Sequence, residues 1–127
     1  MANRVLLDAN VLIRFLTKDH DEHYKISYKI FEQIESGETE ALLMDFILAE
    51  VVYVLRRIYK YDKSDISLAL KKMLLYNHLY TENKLVTFEA LNIYAENNID
   101  FADALLCAKR KIEGFEIVSF DKDLERC

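Results

Sequence analysis

Four short apolar runs, spaced apart by long stretches of helical periodicity, constrain this chain more than any other feature. VLL (5–7), ALLM (41–44), KLVT (84–87) and FEIVSF (115–120) each suit a β-strand. Between them, helices are predicted over about residues 9–16, 23–36, 46–60, 64–76, 88–97 and 101–112 from the spacing of apolar positions. Strands separated by helices pair in parallel and take helical layers on their faces. The expected class is α/β, a three-layer α/β/α sandwich with a short parallel sheet of four strands. Gly37 and Gly114, the two glycines of the chain, each stand where a helix should stop before a strand begins.

The 127 residues are expected to form one domain, 1–127, with hydrophobic residues at 52% and charged ones at 31%, enough apolar material for a shared core. No Pro/Gly/Ser-rich or single-sign run interrupts it. Seventeen basic against 22 acidic residues leave a net charge of −5, which argues against a surface that binds phosphate everywhere. Local basic groups remain: Arg56, Arg57, Lys60 and Lys63, then Lys71 and Lys72, then Lys109, Arg110 and Lys111. Singly, each reads most simply as a solvated helix face. Cys107 and Cys127 lie far apart without CxxC or Cys/His spacing, so neither a zinc site nor a disulfide framework is expected, and a reducing cytoplasm fits. No signal-like core precedes Asp8, and no uncharged stretch approaches ~20 residues, so no membrane association is expected. GxGxxG and GxxxxGK[ST] are both absent, which removes Rossmann and Walker readings.

Chemistry is then sought among the acids at the carboxyl ends of strands, where parallel α/β sheets gather their ligands. Asp8 closes VLLD, Glu50 lies one turn into the helix after the second strand, Asp103 lies in the first turn of the last long helix, and Asp121 follows IVSF. Each has a plainer alternative. Asp8 and Asp100 are ordinary helix caps, Asp103 is an acid favoured by the helix dipole, and Asp121 is a turn residue. Glu50 is harder to set aside, because FILAEVVYVL (46–55) surrounds it with nine apolar or aromatic residues. A buried ionised carboxylate must neutralise, pair or meet a cation; the alternative is a tilted helix that leaves position 50 at the surface. Four carboxylates converging at one edge would require a hard divalent counter-charge, Mg²⁺ or Mn²⁺, and such a site suits phosphodiester hydrolysis.

LLDANVLIRFL, FILAEVVYVL, IDFADALLCA and IVSFDKDL, in this order and spacing, resemble the motifs of PIN-domain ribonucleases, particularly the VapC-type toxins of toxin–antitoxin pairs. The resemblance covers essentially the whole chain. It implies a metal-dependent endoribonuclease acting on RNA, with Asp8, Glu50, Asp103 and Asp121 as catalytic and metal-holding acids. Asn10 and Ser119 match family positions that support the metal shell. It also implies a homodimer and a small antitoxin protein that approaches the acidic pocket. Two departures stand out: Asp45-Phe46 occupies the place where many members carry a proline, and the chain stops six residues after Asp121. Asp123 is therefore an alternative to Asp121 as the fourth acid, and Asp100 a candidate to share the work of Asp103. Arg14, on the helix after Asp8, is a candidate for steering the substrate backbone, with a solvated helix arginine as its alternative.

Two other classes stay open. A catalytically silent PIN-like module would bind RNA or a protein partner without cleaving. An aspartyl-phosphate phosphohydrolase would use Asp8 as nucleophile, but that pattern wants an acid two residues on, where this chain has Asn10. DHDEH (19–23) holds ligating residue types in a charge-rich loop and reads as solvated. Tyr53, Tyr59, Tyr61, Tyr76 and Tyr80 sit at spacings typical of core or interface residues and are assigned no role.

Overall fold

Three parallel strands in the order β1-β2-β3 carry the fold: β1 (Asn3–Leu6), β2 (Thr39–Leu43) and β3 (Leu79–Thr81). The computed structural model describes residues 2–125 and 127. Parallel neighbours require long crossovers. Here α1 (Ala9–Thr17) and α2 (Asp21–Ser36) make the first, and α3 (Asp45–Arg57) and α4 (Lys63–Leu74) the second. α5 (Lys84–Glu96) and α6 (Phe101–Glu113) follow β3, and a short 3-10 turn at Lys122–Glu125 ends the chain. The α/β class with a short parallel sheet holds. Val5 pairs with Ala41 and Ala41 with Leu79, so the strand ends after Leu6, Leu43 and Thr81 lie along one edge.

Local chemistry sets the boundaries. Asp8, His20, Asn83 and Asp100 cap α1, α2, α5 and α6 through side-chain acceptors, satisfying amides that a helix start leaves orphaned. Gly37 and Gly114 end α2 and α6 with φ of 85° and 77°, and their amides donate to Ile34 and Arg110 carbonyls. Both glycines do what their positions in the sequence imply.

On the covered side of the sheet, Ala41, Leu43 and Leu79 are buried against Leu12, Ile34 and Leu48. Phe15 stacks on Phe31 with centroids 4.2 Å apart, and Tyr76 meets both edge-on, which welds α1 to α2. The opposite side, with Leu6, Leu42 and Tyr80 in register, borders a shallow cavity.

Two expected strands are not strands. KLVT (84–87) is the first turn of α5: the Asn83 side chain accepts from the Val86 amide at 3.3 Å, and Thr87 donates its hydroxyl back to the Asn83 carbonyl at 2.9 Å. Helix capping overrides the β-branched run, and the strand lies just upstream at Leu79–Thr81. FEIVSF (115–120) pairs with no strand among the described residues, and Val118 and Phe120 are fully exposed. Both ends of this segment are tied to α6 instead. Gly114 ends that helix, and downstream the Arg110 guanidinium takes the carbonyls of Leu124 and Cys127 at 2.9 and 2.7 Å while Leu124 is buried.

The cysteines also differ from expectation. Cys107, wholly buried on α6, is disulfide-bonded to Cys127, with Cα atoms 5.6 Å apart. The returning tail delivers Cys127 to that helix, a juxtaposition that residue spacing does not encode. Among the described residues no helix is long and apolar enough to cross a membrane.

Candidate acidic site

Asp8 sits at the junction between β1 and α1, exposed, and its Oδ1 accepts from the Ala9 amide at 2.9 Å. Asp100 caps α6, accepting from the Asp103 amide at 2.9 Å. Asp121 accepts from the Asp123 amide at 2.9 Å, and Ser119 Oγ accepts from the Asp121 amide at 2.9 Å, so Ser119 shapes the turn that carries the acid. The plain structural jobs are therefore real for these residues. They do not exhaust them: each capping carboxylate keeps a second oxygen and further lone pairs for another partner.

Asp103 is the most perturbed of the acids expected to act. Partial burial lifts its carboxyl above the ordinary aspartate value, and the charges of Asp100, Asp121 and Asp123 lift it further. The amino end of α6 and the C-terminal turn thus bring Asp100, Asp121 and Asp123 within electrostatic range of Asp103. No Lys or Arg forms an ion pair with any of these four among the described residues; the ion pairs join Arg14 to Asp19, Lys109 to Glu113 and Lys111 to Glu89.

Glu50 departs from expectation. It is exposed, and so are Phe46 and Tyr53, its neighbours one turn to either side. α3 buries Leu48, Val51, Val52 and Leu55, and Glu50 rides the opposite face. Of the apolar residues one turn from Glu50, Phe46 and Tyr53 face solvent while Ile47 and Val54 are half-buried against the core, so the acid lies outside that core rather than within it. The expectation of a buried, charge-demanding Glu50 is corrected accordingly.

Asn10 is exposed near the start of α1. Arg14 is engaged: its guanidinium pairs with Asp19 at 3.1 Å, and Asp19 also accepts from Tyr59 and Thr17 hydroxyls at 2.6 and 2.8 Å. Those donors, led by Tyr59, hold the Asp19 carboxyl down at about 2. Within DHDEH, Asp19 therefore ties the α1–α2 corner to the end of α3, and His20 caps α2.

Reading acids off strand ends missed one pair. Glu82, just after β3, accepts from the Asp45 backbone amide at 2.6 Å, at the start of α3. Burial first, then the Glu82 charge and hydrogen bond, raise the Asp45 carboxyl to about 6. A proline in place of Asp45 would have no N–H to give. The signal was present in the sequence as that departure from the family pattern, but its partner lies 37 residues away.

The acids suit a hard divalent cation in chemistry: all donors are carboxylate oxygens, and the Asp103 group is crowded by like charge with no cationic partner. They do not close around one. Among the described residues no group of three or more His, Cys, Asp or Glu side chains stands close enough to hold a single ion.

The family model of the PIN domain matches residues 5–127. A VapC ribonuclease from Aquifex aeolicus (strain VF5) is 28% identical over 122 residues, spanning 95% of this chain and 90% of that relative. No solved structure matches the chain.

Proposed function

The chain belongs to the PIN-domain family, and on that premise we propose that it is a divalent-metal-dependent endoribonuclease of the VapC type. It hydrolyses RNA phosphodiester bonds in the cytoplasm as the toxin of a toxin–antitoxin pair. The observation that carries this reading is the Asp103 carboxyl, crowded by Asp100, Asp121 and Asp123 and balanced by no ion-paired Lys or Arg among the described residues. The whole-length likeness to a VapC ribonuclease supports it.

Asp8, Glu50 and Asp103 would hold Mg²⁺ or Mn²⁺, with Asp121 assisting a second ion or the attacking water. When bound, the cation supplies counter-charge, acidifies water and stabilises the charge that builds on the leaving oxygen. The protein's part is to fix the acids. The Ala9 amide orients Asp8, and Ser119 orients the Asp121 turn. Asn10 adds a polar group beside Asp8, Asp123 stands in reserve for Asp121, and Asp100 raises the negative field at Asp103. Arg14, held by Asp19, is left with a modest part in steering RNA. A homodimer and a small antitoxin complete the proposed assembly.

The assay is cleavage of RNA by the purified chain with Mg²⁺ or Mn²⁺, with chelator, and as Asp8→Asn. Cleavage should need the ion and fall at least about 100-fold in the variant, more than loss of a supporting group beside a metal costs. Equal rates for Asp8→Asn and the parent would refute it.

Two observations favour a second reading, a silent module that binds RNA or a protein partner: the acids do not close around an ion, and Glu50 is exposed. Chelator-insensitive absence of cleavage together with RNA binding would select it.

A further inference from the structure

Between the carboxyl half of α3, the α5–α6 connection and the start of α6 lies a cavity of about 560 Å³. Its chemically distinctive walls are Tyr53, Arg56, Arg57, Lys63 and Asp100. The volume lies within the range of about 300–1,000 Å³ that small-molecule sites occupy.

The back wall is held rigidly. Lys63 Nζ donates to the carbonyls of Asn97 and Ile99 at 2.6 and 2.8 Å and sits 4.3 Å from the Tyr94 ring centroid, with Tyr94 itself buried. Lys63 is consumed by this clamp. Arg56 is also committed, donating to the Tyr61 carbonyl at 3.1 Å.

Arg57 differs from both. It makes no hydrogen bond or ion pair among the described residues, and its guanidinium lies 5.7 Å from the ring centroid of Tyr53, one turn earlier on α3. Tyr53 is 58% exposed although it is a large aromatic ring. The guanidinium lies over one face of the exposed ring in a cation–π contact and keeps its N–H donors free, so the pair offers a stacking surface with a phosphate partner attached. On the far wall, Asp100 offers a carboxylate acceptor of the kind that takes base amino groups. A nucleotide presents an anion for the cationic wall at one end and amino donors for Asp100 at the other. Asp100 also caps the helix that carries Asp103, so one wall of the cavity is the helix start that bears a proposed reaction-site acid.

We infer that this cavity seats one unpaired RNA nucleotide, its base stacked on Tyr53, its phosphate on Arg57 and its amino edge toward Asp100. The identity of the ligand rests on the ribonuclease reading. The nucleotide is one that flanks the scissile phosphate, and it enters unpaired because a base inside a duplex cannot reach the ring.

The test uses the full chain carrying Asp8→Asn, so that RNA survives, and short single-stranded RNAs with 2-aminopurine at successive positions. The expected result is fluorescence quenching at one position and about a tenfold loss of affinity on adding Tyr53→Ala, the cost of one stacked base. Tyr53→Phe should keep both signals. Arg57→Ala should weaken binding and shallow its salt dependence by about one charge. Undiminished quenching and affinity in Tyr53→Ala would overturn the inference, as would quenching at no position. A change in sedimentation with unchanged RNA affinity would also overturn it, assigning Tyr53 to contacts between copies. Cleavage by the parent chain is scored separately: no cleavage with the stacking signals intact removes the ribonuclease reading and leaves the pocket, and cleavage without quenching does the reverse.

Discussion

The Asp103 backbone amide donates to the Asp100 carboxylate at 2.9 Å, so two acids three residues apart share the first turn of α6, one as its cap and one beside that cap. The cap fixes the helix start and at the same time places a negative charge next to Asp103. Burial and then Asp100, Asp121 and Asp123 raise the Asp103 carboxyl, so the folded chain binds its proton more tightly than the unfolded chain does. A raised carboxyl favours the fold below its unfolded value of 3.8, and that benefit is lost as pH rises through the raised value. At neutral pH the charge therefore costs stability. Asp103→Asn should melt higher than the parent at neutral pH without divalent ions, match it in strong acid, and cleave RNA at least about 100-fold more slowly. Thermal denaturation against pH, beside the cleavage assay, checks both halves.

The Asp45–Glu82 pair makes a separate pH prediction. Asp45 is raised from 3.8 to about 6, first by burial and then by Glu82. Its contribution to stability is present below 3.8 and is lost as pH climbs through about 6. Asp45→Asn should stabilise the chain at neutral pH by about 1 kcal/mol, a figure discounted for solvent screening because the group is only half-buried. The gain should vanish in acid. Urea denaturation at several pH values measures it, and a pH-independent difference would contradict the coupling.

Gly37 and Gly114 give a matched comparison. Both have positive φ, 85° and 77°, where a side chain costs roughly 1–2 kcal/mol. A Cβ on Gly37 would in addition come within 3.0 Å of the His78 ring, whereas one on Gly114 meets nothing within 4 Å. Gly37→Ala should therefore destabilise more than Gly114→Ala. Equal losses would mean that the His78 ring yields freely.

What the sequence disclosed follows from how local each signal is. Helices with their own caps were legible: Gly37 and Gly114 marked two ends, and the Asp100 cap marked a start. Strands were less so, because three- to five-residue runs are decided by what they pair with. Val86 and Thr87 were captured by the Asn83 cap, and residues 115–120 were held away from the sheet by a tail anchored through Arg110 and Cys127. Glu50 was misread for a related reason. When every neighbour is apolar, periodicity cannot say which face is buried, and α3 turned Leu48, Val52 and Leu55 inward instead. The acids themselves were legible by type and position, whereas Glu82 was invisible because its link to Asp45 exists only across β2 and β3.

Calorimetric titration of Mn²⁺ into the parent chain and into Asp103→Asn tests the central claim most directly, namely that the chain binds a divalent ion through Asp103. The account predicts a saturable heat of binding in the parent that is lost in the variant. No heat at millimolar ion, or the same heat in both proteins, would contradict it.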